Sequence, residues 1–209
     1  MGGSKNKLPE GWLDCPQNGN YLVAGKFMPL KTPLDGKFNN KLPSGANYSP
    51  TELFTRAKRN KVKIGLWVDL TNTYRYYNKT EIEQEQCQYV KLSCVGHGEC
   101  PSVEITKKFI DVTHNFFINY PAQCIAVHCT HGFNRTGFLI VSFLVEKLKF
   151  DVGKAVEAFA HARPPGIYRG TYIRELFRRY GNLSNAPLAP PLPRWCSEKN
   201  KTRKYGKYR

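Results

Sequence analysis

No apolar run in this 209-residue chain approaches the roughly 20 residues of a membrane-spanning helix, so no segment is expected to cross or engage a bilayer. The opening residues, Met1 to Lys7, are polar and offer no apolar stretch of a secretory signal. Met1-Gly2 begins like a myristoylation motif, but Asn6 stands where that motif needs Ser or Thr. Acids are scarce: 16 Asp and Glu stand against 32 Lys and Arg, a formal net charge of +16. Such an excess favours a polyanionic partner, nucleic acid or a membrane surface. Lys199, Lys201, Arg203, Lys204, Lys207 and Arg209 supply part of it from an acid-free tail, and bases remain in excess without them.

The seven cysteines are an odd number without a signal peptide, which points to reduced thiols in an intracellular setting. Cys94-x2-His97-x2-Cys100, with Cys87 upstream, has a passing likeness to metal-ligand spacing. Zinc sites usually come as close pairs on turns. Here Cys87 and Cys94 flank or sit in a strand expected at 89–94 and need not converge, so no metal is expected.

What is present reads as alternating strands and helices over one α/β domain with tails. Residues 1–48 are rich in Gly, Pro and Asn and are expected to wrap the core with little regular structure. Ser49-Pro50-Thr51-Glu52 has a helix-start signature: a Ser cap, Pro at the first position and Glu three residues after the cap. Strands are expected at 63–70, 89–94 and 124–128. Helices are expected from Ser102, with Ile105, Phe109, Val112 and Phe116 on one face, from Arg135 to about Lys149, after Asp151, and over 171–180. The domain is expected to fill 1–185, followed by a Pro-rich linker and basic tail over 186–209.

One stretch carries chemistry. His128-Cys129-Thr130-His131-Gly132-Phe133-Asn134-Arg135-Thr136-Gly137 lies between the apolar runs Cys124–Val127 and Phe138–Val141. That reads as a buried strand, a tight loop and the first turn of a helix. Such a loop gathers unpaired backbone N–H groups and the positive end of a helix dipole, so it binds phosphate. A thiol at its start is a nucleophile whose pKa the helix terminus and a nearby cation lower. Cys129 can attack phosphorus to form a cysteinyl-phosphate that water then hydrolyses. Arg135 can hold two phosphoryl oxygens in a fork. Because the loop dipoles and Arg135 neutralise the phosphate, no metal or cofactor is required. Thr130, His131, Gly132, Phe133, Asn134 and Thr136 complete the phosphate-binding loop, with the glycines admitting a close backbone approach and Thr136 placed to hydrogen-bond the sulfur. His128 orients the loop from below.

A phosphotyrosine leaving group, of pKa about 10, benefits from a general acid, usually an Asp on a neighbouring loop. The corresponding loop here, Gly96-His97-Gly98-Glu99-Cys100, has no Asp, though Glu99 or His97 can be asked to substitute. A phosphate leaving group, with a second pKa of about 6, departs unprotonated. A missing acid and a basic surface together favour a phosphoanhydride at the end of a nucleic acid.

The loop HCTHGFNRTG resembles the active-site loop of the RNA 5′-triphosphatase domain of animal mRNA capping enzymes. Other segments agree: Trp12-Leu13-Asp14-Cys15-Pro16, Pro29–Leu34, Val68–Thr73, Gly96–Pro101 and Ala162–Tyr168. The similarity extends from about residue 8 to residue 196. It implies a cysteine-phosphatase, dual-specificity phosphatase-like fold with a central, mostly parallel sheet flanked by helices. It also implies metal-independent removal of the γ-phosphate from nascent RNA in the nucleus, with Cys129 as phosphocysteine nucleophile and Arg135 as transition-state clamp. Asp69 would lie near the site, either ordering the loop or paired with Arg135. Lys31, Arg75, Arg163 and Arg169 lie in loops of the matching segments and are candidates for the distal phosphates of 5′-triphosphate RNA, one or two of them being expected to matter.

Animal capping enzymes continue into a guanylyltransferase domain with a K-x-D-G motif, which this chain lacks. A guanylyltransferase domain or RNA polymerase II is therefore a candidate partner rather than a part of the sequence in hand. Three alternatives stay open: a free-standing RNA phosphatase that removes both γ- and β-phosphates, a dual-specificity protein phosphatase, and a non-catalytic RNA-binding or polymerase-docking module. The intact Cys129 and Arg135 speak against the last.

Overall fold

A computed structural model describes residues 7–95 and 98–196. Its centre is a four-stranded, all-parallel sheet of order β1-β4-β2-β3, with β1 Phe27–Leu30, β2 Ile64–Asp69, β3 Gln88–Lys91 and β4 Cys124–His128. The two middle strands, IGLWVD and CIAVH, are buried throughout, as parallel strands covered by helices on both faces must be. On one side, helix α1 (Pro50–Arg59) and the single turn α2 (Thr80–Glu83) enclose a cluster around Trp12, Phe38, Phe54 and Trp67. On the other, α3 (Val103–Asn119), α4 (Asn134–Leu148), α5 (Val152–Ala162) and α6 (Gly170–Tyr180) bury Phe27, Phe109, Phe138, Phe143 and Phe159. Helix α4 is the hub, packing on α3, α5 and α6.

The local signals act as expected. Ser49 accepts from the Glu52 N–H while the Glu52 carboxylate accepts from the Ser49 N–H, a complete capping box. Ser102 caps α3 through the Ile105 N–H, and Asp151 caps α5 through the N–H groups of Gly153 and Lys154.

Two expectations need correction. Residues 1–48 were expected to hold little regular structure, yet β1 pairs in parallel with β4, and a 3-10 turn spans Gly36–Lys41. Pro29 is tolerated because β1 is an edge strand, where a missing N–H costs no ladder bond. The linker expected from residue 186 is, in its described part, a strap: Ala186 and Ala189 pack on the main core, and Trp195 and Cys196 pack on Cys15, Phe133 and Tyr168. Gly11 accommodates it, since a Cβ there would come within 2.4 Å of the Trp195 carbonyl oxygen. The basic residues from Lys199 to Arg209 lie outside the described residues.

The register brings three strand ends to one level. Leu30 and Asp69 both pair with His128. The loop that follows β4 therefore opens at the carboxyl edge of the sheet, where α4 begins.

Candidate active site

The loop after β4 turns back on its own sulfur. The Gly132 N–H donates to Cys129 Sγ at 3.3 Å. Gly132 has a φ of +75°, and a Cβ there would lie 2.1 Å from the Leu30 carbonyl oxygen. This glycine thus serves contact with β1. Gly137 likewise serves packing rather than the approach of substrate, since a Cβ would press into Phe159 and Ile167. At the head of α4, Phe133 offers no capping oxygen, which leaves the first helical N–H groups for an anion.

Burial opposes ionisation of Cys129, but the Arg135 guanidinium, the Thr136 hydroxyl and the N–H groups of Thr136 and Gly132 outweigh it and pull the thiol below its ordinary value. The other buried cysteines shift the opposite way. Burial pushes Cys15 up to about 11 and Cys87, Cys94 and Cys124 up to about 12. Thr136 is buried, and its hydroxyl, which has no hydrogen-bond partner of normal geometry, lies close enough to the thiol to lower its pKa.

Arg135 is half-buried and held from three points: its guanidinium donates to the carbonyls of Leu70 (3.3 Å) and Cys94 (3.0 Å) and to Thr130 Oγ1 (3.3 Å). It makes no pair with Asp69, so that alternative is corrected. Asp69 instead accepts from Lys91 Nζ at 2.8 Å, from the Thr71 hydroxyl and N–H, and from Tyr89. Burial would raise its pKa, but Lys91 and Thr71 lower it, and the carboxylate stays ionised.

His128 is fully buried, and burial lowers its pKa, so the ring is neutral near pH 7. Its Nδ1 lies 3.2 Å from the Cys129 carbonyl oxygen and its Nε2 lies 2.6 Å from the Tyr77 hydroxyl. A carbonyl can only accept, so the neutral ring carries its proton on Nδ1 and Nε2 accepts from Tyr77. His128 orients the loop from beneath and does not reach its mouth.

Other loop residues line the cavity while bonding the frame around it. Asn134 Oδ1 accepts from the N–H groups of Tyr168 and Arg169, both at 3.0 Å. Its side-chain oxygen pins the 163–170 loop. Phe133 is buried between the Arg163 guanidinium, Tyr168 and Trp195. His131 Nε2 is 2.7 Å from the Glu10 carbonyl oxygen.

Above the loop is a cavity of about 540 Å³ lined by Lys7, Glu10, Arg75, Tyr76, Cys129, Arg135, Tyr168, Arg169 and Tyr172, among others. Two of the four candidate phosphate contacts, Arg75 and Arg169, line it. The other two are corrected. Lys31 is 3% exposed, donates to the carbonyls of Trp12 (2.7 Å) and Cys15 (2.8 Å), and lies over the Trp12 ring. Arg163 is 1% exposed and donates to the carbonyls of Pro16 (2.8 Å) and His131 (3.0 Å). Burial pushes the Lys31 amine down to about 8 and lowers Arg163 as well. Arg163 braces the loop from inside through His131, and Lys31 holds the N-terminal segment beside it.

No aspartate lines the cavity among the described residues. Glu99 is exposed and is not among the lining residues, although its carbonyl accepts from Tyr172 at 2.5 Å. His97 lies outside the described residues. Cys87, Cys94 and Cys100 bond three separate carbonyls, and no described group of His, Cys, Asp or Glu is arranged to hold a metal. Tyr77 and Lys91 carry no mark of the site in the sequence. Lys91 meets Asp69 through the register of β2 and β3, and Tyr77 through a loop that folds back on β2; no local pattern marks either.

Residues 48–181 match the family model of the dual specificity phosphatase catalytic domain. The chain is 52% identical over 197 residues to the mRNA-capping enzyme of Danio rerio, covering 94% of this chain and 33% of that protein. The chain thus spans about a third of the length of the mRNA-capping enzymes it matches. It is 32% identical to the RNA/RNP complex-1-interacting phosphatase homolog of Caenorhabditis elegans, covering 85% of this chain and 80% of that one. Among solved structures, Tk-PTP in its active form superposes with a TM-score of 0.57 at 16% identity, over 78% of this chain and 98% of that chain. That likeness shows the fold.

Proposed function

The chain belongs to the dual specificity phosphatase catalytic-domain family, and from that premise we propose that it is an RNA 5′-triphosphatase that needs no metal. The observation that carries this reading is the basic cavity over Cys129, lined by Lys7, Arg75, Arg135 and Arg169. The names of its relatives, mRNA-capping enzymes and RNA/RNP complex-1-interacting phosphatases, supply the class of substrate.

The thiolate of Cys129 attacks the γ-phosphorus in line. The S–P bond forms as the bond from the γ-phosphorus to the bridging oxygen breaks, and the electron pair leaves with the β-phosphate. That group, with a second pKa of about 6, departs as the anion without a proton donor. Arg135 and the N–H groups heading α4 take up the charge on the equatorial oxygens. Water then attacks the cysteinyl-phosphate, releasing inorganic phosphate and restoring the thiolate, with the Thr136 hydroxyl stabilising the leaving sulfur. The product is an RNA with a 5′-diphosphate. In this reading the enzyme works in the nucleus on nascent mRNA, and the diphosphate end passes to a guanylyltransferase associated with RNA polymerase II.

A second reading is a free-standing RNA phosphatase that removes both γ- and β-phosphates; the 80% of the RNA/RNP complex-1-interacting phosphatase homolog that the chain covers favours a free-standing domain. Incubation with γ-labelled 5′-triphosphate RNA in the presence of a chelator tests the first, with a phosphotyrosine peptide alongside. Phosphate release from RNA that is lost in Cys129→Ser is the expected result. Release only from the peptide would assign a protein phosphatase instead. End-group analysis of the product separates one phosphate removed from two.

A further inference from the structure

Beside the phosphate cavity is a second one of about 600 Å³, within the roughly 300–1,000 Å³ of small-molecule sites. The two share a wall formed by Glu10, His131, Tyr168 and Arg169. The far side is closed by the strap, through Leu192 and Trp195. The strap is seated, not draped: Trp195 lies 5.6 Å from the Phe133 ring, Cys196 Sγ donates to the Tyr168 hydroxyl at 3.4 Å, and the Trp195 carbonyl fits over Gly11.

A triphosphate that reaches Cys129 brings a ribose and a base behind its α-phosphate, and these need a place outside the loop. We propose that the second cavity receives the first nucleoside of the RNA, its base against Trp195, while Arg169 on the shared wall meets the phosphate between. The proposal rests on the RNA 5′-triphosphatase reading and names the subsite that distinguishes an RNA end from bare polyphosphate. Three features favour a nucleoside. The half-buried Trp195 offers flat aromatic surface, on which any base stacks, and the buried Tyr168 beside it backs the wall. Arg169, exposed and continuous with the phosphate cavity, complements the chain's phosphates. Leu192 is the one aliphatic side chain among the described lining residues, which disfavours an apolar peptide anchor.

The test compares a 5′-triphosphate RNA oligonucleotide with inorganic tripolyphosphate on the full chain. Trp195→Ala should lower the ratio of kcat/KM for RNA to that for tripolyphosphate about tenfold, through KM for RNA, and Trp195→Phe should restore most of it. An unchanged ratio in Trp195→Ala overturns the subsite while leaving the triphosphatase reading intact. Failure of the wild type to hydrolyse triphosphate RNA sinks both. Binding supplies a readout that survives a folding defect in the alanine variant. Trp12 and Trp67 are 1% and 0% exposed, so the half-buried Trp195 is the accessible fluorophore among the described residues. In Cys129→Ser, triphosphate RNA should quench the tryptophan signal and tripolyphosphate should not. Equal quenching by RNA after Trp195→Phe is added would refute the contact.

Discussion

The hydroxyl of Tyr77 lies 2.6 Å from Nε2 of His128. It links a buried acid to the nucleophile, because the same hydroxyl approaches Asp69 at 3.1 Å and His128 carries on to the Cys129 carbonyl. Trp67 Nε1 donates to the Tyr77 oxygen at 3.0 Å and fixes the ring from the opposite side. The chain holds the start of the loop at a set height above the sheet without entering the cavity.

Tyr77→Phe leaves His128 Nε2 and the Trp67 N–H without their partner in a dry core. Stability should fall by about 1–3 kcal/mol in urea unfolding. Since Tyr77 positions the loop and does not touch substrate, kcat should fall about fivefold with KM within roughly twofold. A fall confined to KM would place Tyr77 in substrate binding and reject the positioning role.

Thr136 adds to Arg135 in holding the Cys129 thiol low. The thiol is held below its ordinary value, so its thiolate already exists below the roughly pH 8.5 of a free cysteine. Losing the Thr136 hydroxyl removes a group that stabilises the thiolate. Thr136→Ala should therefore raise the Cys129 pKa and move the rising acid limb of the rate to higher pH, while Thr136→Ser should keep it low. Iodoacetamide alkylation of Cys129 followed against pH reads this without substrate. An alkylation midpoint unchanged in Thr136→Ala would rule out that contribution.

The four basic residues of the matched loops should separate into two classes. Arg75→Ala and Arg169→Ala should weaken RNA turnover and reduce its salt slope by roughly one each, with little change in Tm. Lys31→Ala and Arg163→Ala should lower Tm by several degrees, since each leaves two carbonyls of the loop's surroundings without a donor. If all four lowered the salt slope alike with Tm unchanged, the buried placement would be contradicted.

Gly132→Ala asks an alanine to adopt a φ of +75° with its Cβ against the Leu30 carbonyl. Destabilisation of about 2 kcal/mol or more is expected, with loss of turnover as the loop lifts off β1. Turnover that persists at wild-type Tm would mean that the loop does not require this contact.

Much of the molecule was legible because its signals are local. Capping residues such as Ser49, Ser102 and Asp151 mark helix starts through bonds to N–H groups two or three residues away. The nucleophile and clamp share one short loop, so Cys129 and Arg135 could be read together with the strand and helix around them. β1 escaped notice because four residues containing a proline form a strand only when a distant partner offers its edge.

The sequence by itself determined the chemistry available: a cysteine and an arginine framing the head of a helix, few acids, and no aspartate in 96–100. Only the tertiary structure decided which charges face that chemistry. Lys31 and Arg163 look like Arg75 and Arg169 along the chain, but folding buries the first two against carbonyls and leaves the others on the cavity wall. It likewise gave Asp69 to Lys91 instead of Arg135, through the parallel register of β2 and β3. Charge type is a property of a residue, whereas desolvation and partnership depend on what the rest of the chain packs around it.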